Sequence, residues 1–563
     1  MKLESPGTIK SVDNLMGANP SYGDETVWSR FSKSASRWGS RSFFSSGPIL
    51  QAGSSQLLAW TYEQMRETAE RRSEIYKLRG FIKGDRVGIC LPNSPEFFVE
   101  WLSLNLLGIS AVPVNPELRQ VDVARLIGHS EMRLAVVSGA SGKFGQALKA
   151  ACEKSRVAVA ETCRELPEPL SEPLPRELPK IAASLDEAAL IYTSGTTGMP
   201  KGCVLSNEYF LAAGDWYASL PEPWTLREGS ERMLTPLPLY HMNAMAFSSM
   251  AMVATGGCLV ALDRFHPSRW REDLRDCGAT IVHYLGIMPS ILMKSDPEAS
   301  DREHSVRFGF GAGVSPDLHA GFEDRFGYPL IEAWAMTETG AGACIAATGP
   351  DRQVGEGCFG QPGPEMETRI VDEAGNSVAS GQPGELLVRR AGRNPRFGFF
   401  TRYLKDDEAT KAAWEGNWFH TGDIVAQNSN GQFVFKDRKK NMIRRSGENI
   451  SAAEVESVLA KHPGVEAAAV GSVPDELRGE EVACLVKPID RSFEQNSGFF
   501  SELFELCVEQ LAYFKAPGWF AAVSELPLTG TEKIRRADLA KRLREMREAG
   551  DLVEFRARKK KNA

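Results

Sequence analysis

One undecapeptide constrains this chain more than any other stretch: Tyr192-Thr-Ser-Gly-Thr-Thr-Gly-Met-Pro-Lys-Gly202, entered directly from the apolar run 188–191. An apolar strand that empties into small hydroxyl residues and glycines, then into a cation, offers backbone N–H groups, hydroxyls and one positive charge to an anion. The pattern is that of a phosphate grip made by Thr193, Ser194, Gly195, Thr196, Thr197 and Gly198, with Lys201 as its cation. A Walker-type loop needs its lysine directly after the second glycine, with a helix beginning there. Here Lys201 comes three residues after Gly198 and is followed by Gly202. A flexible Ser/Thr/Gly linker has a similar composition. Against that reading stand the preceding strand, the apolar step Cys203-Val-Leu205, and Ser206 and Asn207, which are placed to cap a helix from Glu208 onward.

A chain of 563 residues exceeds one ordinary core, so two or more domains are expected. A net charge of -7 excludes a general basic footprint for nucleic acid, and the 42% hydrophobic content is too apolar for disorder. The ten cysteines include no Cys-x-x-Cys pair, so neither a zinc cluster nor a disulfide framework is suggested, and reduced thiols in a cytoplasmic enzyme fit best. The N-terminus, with Glu4, Pro6 and Asp13, has no apolar core and is not a signal peptide. The uncharged stretch 244–262 is broken by Thr255-Gly-Gly257. It predicts a buried helix, a Gly-Gly turn and a strand from Cys258 to Leu262 rather than a transmembrane segment.

In the first part of the chain, short apolar strands alternate with helical patterns: 86–91 as strand, Ser94 to about Leu107 as helix, 111–114 as strand. That spacing is a βαβ unit and predicts a parallel sheet. The segment 139–145 has the pattern Gly-x-x-Gly-x-x-Gly but no acidic residue placed to hold a ribose, so a plain turn into a helix is expected. The stretch 161–179, rich in Pro, Glu and Leu, reads as an extended connector. Phe308-Gly-Phe-Gly-Ala-Gly-Val314 is a strand entering a glycine-rich bend, where missing side chains let a flat ligand approach the backbone.

The phosphate loop, the Thr-Glu stretch Glu332-Ala-Trp-Ala-Met-Thr-Glu-Thr339, Thr421-Gly-Asp423, the charge run Asp437-Arg-Lys-Lys-Asn-Met-Ile443 and Pro527-Leu-Thr-Gly-Thr-Glu-Lys-Ile534 follow one another in a particular order. In that order they resemble the adenylate-forming superfamily, which includes acyl-CoA synthetases, firefly-type luciferases and the adenylation domains of peptide synthetases. The resemblance spans about residues 30 to 545. It implies an α/β fold: a large N-terminal domain of parallel and mixed sheets flanked by helices, residues 1–436, and a small mobile α+β C-terminal domain, residues 437–563. Gly447-Glu-Asn-Ile450 with Asn441-Met-Ile443 resembles the crotonobetaine/carnitine and medium-chain or aryl type of CoA ligase.

The resemblance also assigns roles. Gly311 and Glu332 border the nucleotide, Trp334 stacks on adenine, Thr337 bonds phosphate and Glu338 holds Mg²⁺. Asp423 accepts from both ribose hydroxyls, and Arg438 is the ribose-binding arginine. Lys440 is the pivot, Gly447 makes room for the pantetheine arm of CoA, and Lys533 is the catalytic lysine. His241 lies beside the acyl group, and His283, Tyr284, Gly313 and Met336 are further candidates for the acyl pocket; for His241 a hydrogen-bonded structural histidine is the alternative. Three positions depart from the family's usual glycine: Ala335 narrows the pocket, Ser446 precedes Gly447, and Glu532 precedes Lys533.

The implied activity is ATP-dependent activation of a small carboxylic acid through an acyl-adenylate, followed by thioester formation with CoA and release of AMP. Attack of a carboxylate on a phosphate brings two anions together, so positive charge dominates the catalysis, and no protein nucleophile is needed. Loading of a carrier protein, a noncatalytic nucleotide-binding member and a membrane-associated fatty-acid activator stay open as alternatives. Neither the identity of the acid nor the oligomeric state is fixed by these residues, and a homodimer is one reading.

Overall fold

The computed structural model describes residues 21–559 except 48–57, 117, 119, 139–145, 156, 163–165, 167–181, 194–200, 447, 491–496 and 529–533. The chain divides into two compact units, the larger from the described parts of 21–193, 201–368 and 388–420, the smaller from those of 369–387 and 421–559.

Two sheets organise the larger unit. The first runs in the order Arg402–Tyr403, Lys201–Ser206, Glu187–Thr193, Ser110–Pro113, Arg86–Cys90, Leu134–Val137, Ala158–Glu161. Its last five strands are mutually parallel, as the strand–helix–strand spacing requires. Glu187–Thr193 and Lys201–Ser206 instead form an antiparallel hairpin in which Thr193 faces Lys201, so the phosphate-loop stretch joins two paired strand ends. The second sheet has eight strands in the order Ile345–Ala346, Leu330–Trp334, Phe308–Ala312, Ile281–Leu285, Arg232–Thr235, Cys258–Ala261, Ser42–Ser46, Ala59–Thr61.

Helix Pro95–Leu106 lies between these sheets, packing on Arg86–Cys90 and Ser110–Pro113 of the first and on Ser42–Ser46 of the second. It is buried over nearly its whole length, so it needs no polar face, and its sequence Pro-Glu-Phe-Phe-Val-Glu-Trp-Leu is apolar almost all round. Phe98 meets Phe43 edge-on at 5.1 Å, and Trp101 meets Phe210 of helix Asn207–Ala218 at 5.0 Å. Each such ring, fully buried, contributes about 2–3 kcal/mol. Ser206 caps the latter helix as expected, its hydroxyl accepting from the Tyr209 N–H.

The stretch 244–262 forms the expected helix, turn and strand, with Gly256 left-handed at the helix end (φ 71°). Its first turn, Asn243–Ser248, is wound as a π-helix, which the apolar pattern did not signal. Among the described residues no helix is long and apolar enough to cross a membrane.

The smaller unit is built on the strands Val465–Asp475 and Gly479–Pro488, a long antiparallel pair. Alternation along the second strand explains its two faces. Val482, Cys484 and Val486 pack with helices Ala452–Leu459 and Ser497–Gln510, while Ala483 and Leu485 pack with Leu539 and Leu543 of helix Arg536–Ala549. The strand Phe433–Arg438 pairs antiparallel with Phe419–Gln427 and leads through the short helix Lys439–Asn441 into Met442–Arg445. The junction expected at 436/437 falls inside Phe433–Arg438.

Candidate active site

The strand Lys201–Ser206 carries the phosphate-loop lysine and pairs antiparallel with Arg402–Tyr403, placing Tyr403 opposite Cys203. The Lys201 ammonium sits 4.6 Å from the centre of the Tyr403 ring, and the Tyr403 hydroxyl donates to Glu338 Oε1 at 3.0 Å. One ring thus gathers a cation on its face and a carboxylate at its tip. Burial, with Glu338 beside it, pushes the Tyr403 hydroxyl well above its ordinary range, so it stays a donor at neutral pH. The Glu338 backbone carbonyl accepts the Phe400 N–H at 2.9 Å, which ties the Thr-Glu turn to the segment carrying Tyr403. Thr337 lies half-buried in this turn, and Met336 is held by its N–H to the Thr339 hydroxyl at 2.9 Å. Residues 194–198 of the loop lie outside the described residues.

Glu332 stands on the strand Leu330–Trp334, and its carboxylate is enclosed by the fold. Oε2 accepts the Gly313 N–H at 2.9 Å, and Oε1 accepts the Val314 N–H at 3.1 Å and the Tyr284 hydroxyl at 2.7 Å. Burial raises the pKa of the Glu332 carboxyl, and those three donors oppose the rise. The side chain therefore shapes the glycine bend from behind. Gly313 needs its left-handed backbone (φ 85°). At Gly311 a Cβ would lie 2.2 Å from the Tyr284 carbonyl oxygen, so only glycine fits there. Trp334, at the end of its strand, stacks on Phe359 at 6.2 Å.

His283 and Tyr284, expected in the acyl pocket, are both fully enclosed. The His283 ring bonds the Tyr217 hydroxyl at 2.9 Å on one nitrogen, and the other nitrogen lies 2.8 Å from Ser248 Oγ and 2.7 Å from Asn243 Oδ1. Burial pushes its pKa down to about 3, so it is neutral across the physiological range. The π-helical turn supplies both Asn243 and Ser248. His241 is half-buried at the entrance to that turn, its ring 4.7 Å from that of Tyr240. The segment before it is pinned by Asn93, whose amide donates to Leu237 O and Leu262 O at 3.0 and 2.8 Å and accepts the Leu239 N–H at 2.9 Å. Nothing in the local sequence around Asn93 marks this role, because its partners lie 144 to 169 residues away.

In the smaller unit, Asp423 is fully buried and pairs across the strand register with Arg438, Nε to Oδ1 2.6 Å. The Thr-Gly-Asp triplet folds as a lock: the Thr421 hydroxyl donates to Leu386 O at 2.7 Å and accepts the Asp423 N–H at 3.0 Å. Glu385 accepts from the Gly422 N–H and, at 2.7 Å, from Lys439, the neighbour of Lys440 in the short helix Lys439–Asn441. Asp437, read in the sequence only as part of a charge run, is buried and organises the segment. It accepts from the Arg438 N–H, the Asn441 amide, the Ser451 hydroxyl and the Ala453 N–H. Gly447 and Lys533 lie outside the described residues. On either side of residues 529–533, Leu528 and Ile534 form a bridge, and the Arg535 N–H donates to Pro527 O at 2.7 Å.

Glu338 is suited to Mg²⁺ by its donor chemistry, a hard carboxylate oriented by a neutral hydroxyl. Among the described residues no three His, Cys, Asp or Glu side chains form a metal cage, and Mg²⁺ needs none, since it is usually held by one or two carboxylates, water and substrate phosphates.

The chain is similar to known proteins over most of its length. Residues 31–394 match the family model described as AMP-binding enzyme, and residues 454–533 match the AMP-binding enzyme C-terminal domain. A crotonobetaine/carnitine–CoA ligase from Proteus mirabilis is 28% identical over 504 residues, covering 87% of this chain and 95% of its own. Among solved structures, the o-succinylbenzoate CoA synthetase from Bacillus subtilis in complex with its acyl-adenylate intermediate superposes with a TM-score of 0.75 at 23% identity, covering 92% of this chain and 98% of that one. A benzoate CoA ligase from Burkholderia xenovorans gives 0.74 at 21% identity, covering 92% and 99%. The two structures share the fold.

Proposed function

The chain belongs to the AMP-binding enzyme family, and from that premise we propose that it is an AMP-forming acid–thiol ligase acting on a small carboxylic acid in the cytoplasm. The observation that carries this reading is the convergence of Lys201 and Glu338 on Tyr403 at the root of the phosphate loop.

In the first half-reaction the acid's carboxylate oxygen attacks the α-phosphorus of ATP, and the bond to the β-phosphate breaks with pyrophosphate leaving. Residues 193–198 and Lys201 hold the phosphates, Thr337 bonds a phosphate oxygen, and Lys533 brings a second positive charge to the reacting oxygens. Glu338 would hold Mg²⁺, which would supply further positive charge to the phosphates. Tyr403 orients the Glu338 carboxylate. Trp334 stacks on adenine and Asp423, steadied by Arg438, accepts from the ribose hydroxyls. Gly311 borders the nucleotide, and Gly313, Met336 and His241 border the acyl group, while the enclosed His283 and Tyr284 support that wall from inside.

In the second half-reaction the CoA thiol attacks the adenylate carbonyl carbon, and AMP leaves with the bonding pair. The smaller domain turns about Lys440, withdrawing Lys533 and bringing in the loop of Gly447, so that each step has its own water-excluding site. The nine described cysteines are free and buried, which supports a reducing compartment.

The test is acid-dependent pyrophosphate release from MgATP across short, medium-chain, aromatic and betaine-like acids, with and without CoA, beside Lys533→Ala. Release with one acid class, yielding AMP and a CoA thioester and lost in Lys533→Ala, is the expected result. Tight ATP binding without release from any acid overturns it.

A further inference from the structure

The end of the chain closes on the hairpin that carries Gly447. Strands Met442–Arg445 and Glu448–Ser451 form that hairpin, with Arg445 as the last residue before the turn. The Arg445 side chain points inward, its Nε 2.9 Å from both oxygens of Glu481 on the strand Gly479–Pro488. From the other side the ammonium of Lys559 bonds the same Glu481 and lies 3.3 Å from the Phe514 carbonyl. All three side chains are almost completely buried.

Lys559 is delivered there by a built tail. Val553–Glu554 adds a strand beside Trp519–Ala522, Phe555 packs between Phe504 and Phe520 at 5.3 and 5.4 Å, and Arg556 pairs with Asp475 at 2.9 Å. The tail lies beyond residue 533, where the match to the C-terminal family model ends. Two buried cations on one carboxylate are a poor way to gain stability, because desolvation offsets the attraction. The best-attested use of such groups is to fix one register, and the register fixed here is that of the Arg445 end of the hairpin.

We propose that Lys559 is a positioning residue for the thioester-forming step: through Glu481 it fixes Arg445, and with it the Arg445–Glu448 end of the hairpin beside the path of the pantetheine arm. This rests on the reading of the Gly447 turn as part of the CoA path.

Burial pushes the Lys559 amine down to about 8 while Glu481 pulls it up. The groups facing it are Glu481, Arg445 and the thiol of Cys507 on helix Ser497–Gln510, itself pushed up to about 12 and so neutral. The latch therefore loses its ammonium as pH rises through about 8.

The experiment measures the two half-reactions separately in the full-length enzyme: acid-dependent pyrophosphate exchange, and transfer of preformed acyl-adenylate to CoA. Lys559→Met is expected to slow transfer about tenfold and raise the KM for CoA, with exchange within about twofold of wild type. Lys559→Arg, always charged, is expected to restore transfer and to lack the alkaline fall near pH 8 expected of wild type. Transfer at the wild-type rate in Lys559→Met, or equal loss of both half-reactions, overturns the assignment. If Lys559→Met does not fold, the Lys559→Arg profile decides, and an alkaline fall identical to wild type overturns it. A wild-type enzyme that forms the adenylate but no CoA thioester removes the premise itself, and that outcome is read without any variant.

Discussion

Glu332 in the larger unit and Asp423 in the smaller are both buried carboxylates in the strands of sheets, yet their surroundings differ in kind. Glu332 is enclosed by neutral donors from its own fold, two backbone N–H groups and the Tyr284 hydroxyl. Asp423 faces the guanidinium of Arg438, whose side chain is 40% exposed. A carboxylate saturated by neutral internal donors builds backbone geometry. One whose partner is a long, half-exposed cation can keep that partner and still accept ribose hydroxyls. On the proposed reading, the difference separates an acid that holds backbone from one that meets the ribose.

Removing each carboxylate breaks the comparison most directly. Glu332→Ala leaves the Gly313 and Val314 N–H groups without their acceptor and the Tyr284 hydroxyl with only the Ile331 carbonyl, and at 1–3 kcal/mol for each stranded N–H the loss in unfolding free energy is expected to be about 4 kcal/mol. Urea denaturation followed by tryptophan fluorescence checks it, and a shift under about 1 kcal/mol would show that the bend stands without Glu332. Asp423→Asn is expected to do the reverse. It lowers kcat/KM for ATP about 100-fold, as the loss of charged hydrogen bonds to ribose predicts, while the urea midpoint changes little. Equal effects of both substitutions on stability would erase the distinction.

The strand before the phosphate loop, the Ser206 cap and the βαβ run of 86–114 were legible in the sequence because each is decided by neighbours within a turn or two. The parts that were not legible depend on long-range partners. Tyr403 meets Glu338 across 65 residues, Asn93 meets its carbonyls across 144 and 169, and Lys559 meets Glu481 across 78. Motif spacing along a chain carries no information about such pairs, so the sequence named Glu338 and missed what orients it. The π-helical turn was invisible for a related reason: an apolar run buries equally well with either winding, and its hydrogen-bonding role emerges only once His283 is placed against it.

His283 sharpens the comparison with a third buried titratable group, this one neutral. Its folded pKa of about 3 lies below the unfolded value of about 6.5. As pH falls, the unfolded chain takes up the proton first, so the stability due to neutral His283 is full above pH 6.5 and is lost toward pH 3. The slope approaches about 1.4 kcal/mol per pH unit, or about 2 kcal/mol between pH 6.5 and 5. His283→Gln is expected to flatten that part of the stability profile relative to wild type. An unchanged acid slope in the variant would mean that other groups carry it.

The smallest effect is expected at Tyr403, and it tests where Glu338 falls between the two extremes. Glu338 is buried like Glu332 but is oriented by the Tyr403 hydroxyl, with a cation 4.6 Å from the same ring. Tyr403→Phe keeps the ring beneath Lys201 and removes only that donor, a loss of about 1 kcal/mol. If Glu338 is a metal-binding acid, the cost falls on the Mg²⁺ dependence: the concentration for half-maximal pyrophosphate release rises about fivefold, while the rate at saturating Mg²⁺ returns close to wild type. If Glu338 were architectural like Glu332, the same substitution would lower stability and leave the Mg²⁺ titration where it was. The two outcomes cannot be confused, because one moves a ligand titration and the other a denaturation midpoint.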